Sequence, residues 1–441
     1  MIEKYLVKKI TEPVDWKVTV PGSKSMTNRA LLMAVLSAGT VRVEGVLFSD
    51  DSRHFLACLV ALGFTVEIEE EKKCVTVTGC GGRIPRGEAV IDVGSAGTAA
   101  RFLAAMLGFS DGCYEIRCSA QMKRRPMAEL FDLLSGAGAK ITFLEKEGHL
   151  PVRITGCRYA RADKTAGETP RELSLDITKS TQFLSALLLI APMVPEGMKI
   201  HITSEKTDGS YIRITRKMMQ EFGVSVAFDG RDYEVPCRSS YRKETYMVEP
   251  DMSAACYFYA AAAVTGGRAL VRHVHMDNTQ GDLRFLEVLE HMGCTADDTP
   301  EGILVTGPAD GALRGITVNM NDFSDQALTL AAIAPFADAP VRIEGIGHIR
   351  GQECDRIHAI QTNLTALGIR CEEEETAATI YPGSPHGGSV ETYDDHRVAM
   401  AFSLVGLRTD GIVIENPACC RKTFENYFTV LSELTGKKTE A

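Results

Sequence analysis

Two kinds of hydrophobic pattern alternate along the chain. In the first, apolar residues at helical spacing stop at a glycine and give way to alternating or β-branched residues, as in "LACLVALGFTVEIE", "LFDLLSGAGAKITF", "ITRKMMQEFGVSVAF", "FLEVLEHMGCTAD", "IQTNLTALGIRCE" and "YFTVLSELTGKK". These read as amphipathic helices closed by Gly63, Gly138, Gly223, Gly293, Gly368 and Gly436, because glycine reaches the left-handed conformation that ends a helix cheaply. The second pattern is small and apolar on all sides: "RALLMAVLSAGTVRVEGV", "AARFLAAMLGFSDGCYEI", "FLSALLLIAPMVPEGMKIHI", "CYFYAAAAVTGGRALVRHV", "ALTLAAIAPFADAPVRIEGI" and "RVAMAFSLVGLRTDGIVIEN". A helix without a polar face is buried. The two patterns recur together about every 70–80 residues, which predicts six copies of one α/β unit: buried helix, strand, amphipathic helix, then one or two strands.

The starts of the buried helices carry the candidate chemistry. Ser23, Lys24, Ser25 and Arg29 open the first, with a helix expected from about Asn28; Ser95, Gly97, Thr98 and Arg101 open the second, and Lys179, Ser180, Thr181 and Gln182 the third. Asp251 and Ser253, then Asp322, Ser324 and Asp325, then Asp394, Asp395, His396 and Arg397 open the rest. Ser, Thr and Asp there are expected helix caps. Capping leaves the cations unexplained, since Lys or Arg at the positive end of a helix is unfavourable unless an anion offsets it. Several such ends point to a multiply anionic ligand. A phosphate loop is not the source, because Lys24-Ser25 lacks the required upstream glycine spacing, which disfavours a P-loop kinase.

Composition narrows the partners. With 441 residues, 45% of them hydrophobic, the chain can build large cores, and its net charge of −10 excludes a general nucleic-acid or membrane-surface partner. Any anion site is local. Thirteen scattered cysteines without a C-x-x-C pair fit a reducing, cytoplasmic compartment rather than a disulfide framework or zinc. The run "FLSALLLIAPMV" is too short for a bilayer span. His273 and His275 share a predicted strand face but have no third ligand nearby, so neither a metal nor a cofactor is expected.

The segments "PGSKSMTNRAL", "GSAGTAAR", "KRRPM", "STQFLSALL", "SDQALT", "ECDRI", "YDDHRVAMAFSLVG" and "KTFENYF" resemble, in order and across essentially the whole chain, the 5-enolpyruvylshikimate-3-phosphate synthase family. The resemblance implies an α/β fold, a two-domain inside-out α/β barrel of six βαβαββ repeats, three per domain, with the site between them. The crossings fall near residues 21 and 248. One domain would be 1–20 with 249–441, the other 21–248.

The implied reaction transfers the enolpyruvyl group of phosphoenolpyruvate to the 5-hydroxyl of shikimate 3-phosphate and releases phosphate, in the route to chorismate and aromatic amino acids. The phosphoenolpyruvate analogue glyphosate is the implied inhibitor, and a monomer is expected. The substrates together bring about five to six negative charges, which suits arginine's two-pronged fork. Carried over by position, phosphoenolpyruvate meets Lys24, Gly97, Arg125, Gln182, Arg356, Arg397 and Lys422. Shikimate 3-phosphate meets Lys24, Ser25, Arg29, Ser180, Thr181, Gln182, Asp325 and Gln352. Asp325 is the implied base and Glu353 the implied acid, assisted by Lys24. The bland alternatives are a helix cap for Asp325 and an exposed i, i+3 pair with Arg356 for Glu353.

The chain departs from the family pattern in "HIRGQECDR", where His348 and Gln352 replace the family's Asn and Lys beside the acceptor. Ser204, Lys206 and Tyr211 are open alternatives for the acceptor's phosphate. Two rival functions share the scaffold: enolpyruvyl transfer to a UDP-amino sugar, and non-catalytic binding. The first expects a reactive cysteine five residues before Arg125, where this chain has Ala120, with Cys118 seven before. The second is disfavoured by retention of the acid, the base and the phosphoenolpyruvate contacts.

Overall fold

A computed structural model describes residues 3–157, 169–308 and 312–436. The chain divides into two compact units: Met1–Pro21 with Pro250–Ala441, and Gly22–Glu249. Each has its own hydrophobic core.

The unit formed by Gly22–Glu249 is built on three four-stranded sheets. In one, Glu88–Asp92 runs parallel to Cys113–Arg117, which pairs antiparallel with Val152–Thr155 and through it with Lys140–Phe143. The same order recurs around Met198–Ile202 and around Thr40–Glu44. For Thr40–Glu44 the parallel neighbour is Thr245–Met247, from the far end of the unit. A parallel pair needs a crossover, and within this unit the helices α1 (Lys24–Leu36), α2 (Gly97–Gly108) and α3 (Gln182–Ile190) occupy the expected all-apolar segments. Every residue of α2 is buried. Helix α1 begins at Lys24 rather than near Asn28, because Ser23 is already extended and its carbonyl takes the Thr27 amide at 2.9 Å, which closes the first turn early.

The other unit contains two further four-stranded sheets of the same order and one of three strands. Its buried helices are α4 (Met252–Thr265), α5 (Ala327–Ile333) and α6 (His396–Arg408). The N-terminal segment belongs here because Asp15–Val18 lies parallel to Arg268–Arg272 and Lys4–Leu6 lies antiparallel to Ile412–Glu415. Helix Tyr427–Leu434 is followed by no strand among the described residues, and Lys4–Leu6 completes that sheet instead. The amphipathic helices end as their glycines predict: Gly63, Gly138, Gly223, Gly293, Gly368 and Gly436 all have positive φ.

Two local expectations fail. His273 is not on a strand face, since the strand ends at Arg272 and His273 turns it with φ 63°, while His275 Nδ1 lies 2.7 Å from Asp298 Oδ1. Among the residues directly before the buried helices, only Asp251 on α4 and Asp395 on α6 cap with their side chains; at α3 Ser180, two residues before Gln182, accepts that residue's amide instead. Helices α1, α2, α3 and α5 start without a cap from the side chain of the preceding residue.

Candidate functional site

In the Gly22–Glu249 unit, side chains tie the starts of the three buried helices together. Asn28 Nδ2 donates to Thr98 Oγ1 at 2.6 Å, linking α1 to α2. Arg29 links α1 to α3 through Ser185 Oγ at 3.3 Å and also reaches Thr215 Oγ1 at 2.8 Å. Arg101 Nη1 bridges Gly97 O at 3.1 Å and Gln182 Oε1 at 3.0 Å, linking α2 to α3. Gly97 faces the guanidinium groups closely: a Cβ there would lie 2.6 Å from Arg125 Nη1 and 2.7 Å from Arg101 Nη1. Ser180 Oγ accepts the Gln182 amide at 3.3 Å. Thus Gly97, Arg125, Gln182 and Ser180 gather around Arg101, a residue the sequence marked as a helix-start cation without assigning it a role. Thr181 Cγ2 and Lys206 Nζ both flank Gly209 nearby.

Lys24 Nζ sits 3.3 Å from Asp51 Oδ2, and Ser25 Oγ is 3.3 Å from Ser23 Oγ. Arg29 is fully buried, stacked near Phe102 and Tyr211, and donates to Ser25 O at 2.9 Å. Burial pulls its guanidinium down to about 10, partly offset by Tyr211 and Tyr246. It stands behind Ser25 and supports that residue's backbone.

In the other unit one guanidinium organises the site. Arg356, 1% exposed at the start of the helix Arg356–Ala366, donates through Nη1 to Asp325 Oδ1 at 2.9 Å and through Nη2 to Glu353 Oε2 at 3.0 Å. Its Nε donates to Asp395 Oδ2 at 2.8 Å, and Nη1 also reaches Gln352 Oε1. Burial alone lowers an arginine's affinity for its proton, but Asp395, Glu353 and Asp325 outweigh it and hold Arg356 above the ordinary range. Arg397 Nη2 grips the other oxygen of Asp325 at 2.9 Å, and Lys422 Nζ lies 3.1 Å from Glu353 Oε1. Asp325 therefore joins Arg356 to Arg397, while Glu353 joins Arg356 to Lys422.

This arrangement decides the bland alternatives. Asp325 is not the residue before either helix start, which are Phe323 and Gln326, and its carboxylate oxygens are engaged by Arg356 and Arg397. Glu353 does pair with Arg356, but its side chain is only 9% exposed. His348 Nε2 is 2.7 Å from Ser324 Oγ, next to Asp325. Asp395 gave no sequence signal beyond capping, yet it both caps α6 and holds Arg356. Cys118 is a poor nucleophile: burial pushes its thiol up to about 11.

The EPSP synthase (3-phosphoshikimate 1-carboxyvinyltransferase) family model matches residues 8–431. The chain belongs to this family. A 3-phosphoshikimate 1-carboxyvinyltransferase of Trichormus variabilis is 41% identical over 429 residues, 97% of this chain and 98% of the relative. One of a Sulfurovum species is 39% identical over 426 residues, 96% of this chain and 97% of that protein. Among solved structures, an EPSP synthase from Acinetobacter baumannii matches with a TM-score of 0.78 and 25% identity, covering 98% of this chain and 97% of that chain. Among the described residues no helix is long and apolar enough to cross a membrane.

Proposed function

We propose that the clusters around Arg101 and Arg356 serve one reaction, to which each unit contributes part of the machinery. The chain is a shikimate-pathway transferase that moves the enolpyruvyl group of phosphoenolpyruvate to the 5-hydroxyl of shikimate 3-phosphate. The observation that carries the assignment of roles is that Asp325 and Glu353 are both held on Arg356. Two carboxyl groups positioned by one guanidinium suit the two proton transfers the reaction requires.

In the first step Asp325 takes the 5-hydroxyl proton as that oxygen bonds to C2 of phosphoenolpyruvate, while Glu353 delivers a proton to C3. In the second, a methyl proton returns to Glu353, the bond between C2 and the phosphate's bridging oxygen breaks, and the phosphate leaves with that oxygen and the proton from Asp325. Phosphoenolpyruvate would take over Arg356, Arg397 and Lys422 from their present carboxylates, with Lys24, Gly97, Arg125 and Gln182 completing its contacts. Shikimate 3-phosphate would meet Lys24, Ser25, Ser180, Thr181, Gln182, Asp325 and Gln352, with the buried Arg29 holding Ser25 toward it from behind. For its phosphate we favour Lys206. Ser204 is engaged with Ile177 N at 3.2 Å and Lys206 O at 2.8 Å, and the Tyr211 ring lies against Arg29. Lys206→Met should raise KM for shikimate 3-phosphate about tenfold while sparing that for phosphoenolpyruvate; the reverse pattern would remove Lys206 from this role.

The shared order of the four-stranded sheets supports the finer reading, six βαβαββ repeats arranged as an inside-out barrel in two domains. Thirteen free cysteines fit the cytoplasmic assignment. Phosphate release from phosphoenolpyruvate, measured with shikimate 3-phosphate, shikimate or a UDP-amino sugar as acceptor, tests the function. Release with the first alone is expected; release only with the UDP-amino sugar would overturn the reading.

A further inference from the structure

Behind the Asp325–Arg397 pair lies a carboxylate that no step above uses. Asp282, in the short helix Gly281–Arg284, is 6% exposed. Its Oδ2 accepts from Ser253 Oγ, in the first turn of α4, and from Gln326 Nε2 at 2.9 Å. Gln326 directly follows Asp325. The Gln326 amide is oriented by Asp282: an ionised carboxylate only accepts, so the NH2 faces it and Oε1 is left to accept from Thr329 Oγ1 at 2.9 Å. Ser253 has one proton to give. Donating it to Asp282 leaves the hydroxyl's lone pairs for Arg397 Nη2, 3.4 Å away.

The backbone that carries Asp282 is anchored to the same helix start. Gln280 Nε2 donates to Pro250 O at 2.7 Å, and Gln280 Oε1 accepts the Met252 amide at 3.3 Å. The beginnings of α4, α5 and α6 are thereby referred to one buried carboxylate.

We propose that Asp282 is a positioning residue for enolpyruvyl transfer, holding Asp325 through Gln326 and Arg397 through Ser253 so that base and anion-binding guanidinium keep their mutual geometry. The inference rests on the roles given above to Asp325 and Arg397. Asp282→Asn keeps the side chain's size but removes its charge, so the two bonds that converge on Oδ2 lose their charge assistance.

The test is steady-state kinetics of the full chain across pH 5–9, for Asp282→Asn, Ser253→Ala, Ser253→Thr and Asp325→Asn, with circular dichroism to establish folding. Asp282→Asn should lose roughly 10–100-fold in kcat, the scale of a misplacement of about 1 Å, and should alter the acid limb of kcat/KM. Ser253→Ala should raise KM for phosphoenolpyruvate about tenfold, and Ser253→Thr, which keeps the hydroxyl, should restore it. The serine pair decides the matter even if Asp282→Asn does not fold.

Wild-type kinetics and an unchanged pH profile in both Asp282→Asn and Ser253→Ala would overturn the proposal. So would equal defects in Ser253→Ala and Ser253→Thr. If Asp325→Asn is inactive while those variants behave as wild type, only the positioning role falls; if Asp325→Asn is fully active, the assignment of the base falls with it.

Discussion

At the scale of single residues, Gly97 shows how little space the site leaves. A methyl group there would press on Arg125 Nη1 and on Arg101 Nη1, side-chain ends that can shift, Arg101 at the expense of its bonds to Gly97 O and Gln182 Oε1. Gly97→Ala should therefore keep its stability within about 1 kcal/mol and raise KM for phosphoenolpyruvate about tenfold; unchanged KM would detach Gly97 from that substrate. Asp282 adds a pH signature. Burial first, and the charge of Asp325 second, push it up to about 6, against Arg397, Ser253 and Gln326.

A carboxyl whose folded-state value lies above its unfolded value binds its proton more tightly when folded, so this stabilisation is complete below about pH 4 and lost as pH rises through about 6. Denaturant unfolding should show wild type losing stability relative to Asp282→Asn between pH 4 and 7; a constant difference would contradict it. Asp282 was invisible in the sequence because nothing in "TQGDLRF" distinguishes a buried anchor from an ordinary loop acid. Its role depends on Ser253 and Gln326, which are remote in sequence.

At the scale of elements, local physics was legible and partner choice was not. The C-terminal glycines were readable because left-handed backbone is a property of one residue. The residues before α1 and α2 provide no side-chain cap, because whether a serine or threonine turns onto its own helix depends on neighbours: Ser95 Oγ meets Ser119 Oγ at 2.7 Å, whereas Ser180 does take the first amide of α3. The glycines allow a clean comparison. Gly223 has φ 88° and no atom closer than 3.9 Å to a built Cβ, whereas at Gly63, with φ 91°, Arg86 Cγ would lie at 2.8 Å. Gly223→Ala should cost about 1–2 kcal/mol, the backbone term alone, and Gly63→Ala more. Equal costs in thermal or denaturant unfolding would show that the Arg86 contact is relieved without penalty.

At the scale of the molecule, the alternation of buried and amphipathic helices announced an α/β chain with several related sheets. The pairing of Lys4–Leu6 with Ile412–Glu415 lay beyond it, since register between distant segments is set by packing rather than by local pattern. The candidate site divides the same way. Lys24, Arg125, Arg356, Arg397 and Lys422 were identifiable as residues, but the sharing of Arg356 among Asp325, Glu353 and Asp395 is a fact of three dimensions. The proposed function draws its residues from both units. Hydrogen exchange of the full chain with and without shikimate 3-phosphate plus phosphoenolpyruvate tests it most directly: protection is expected at residues 21–29 and 179–182 and also at 350–357 and 394–398, and protection confined to one unit would contradict the account.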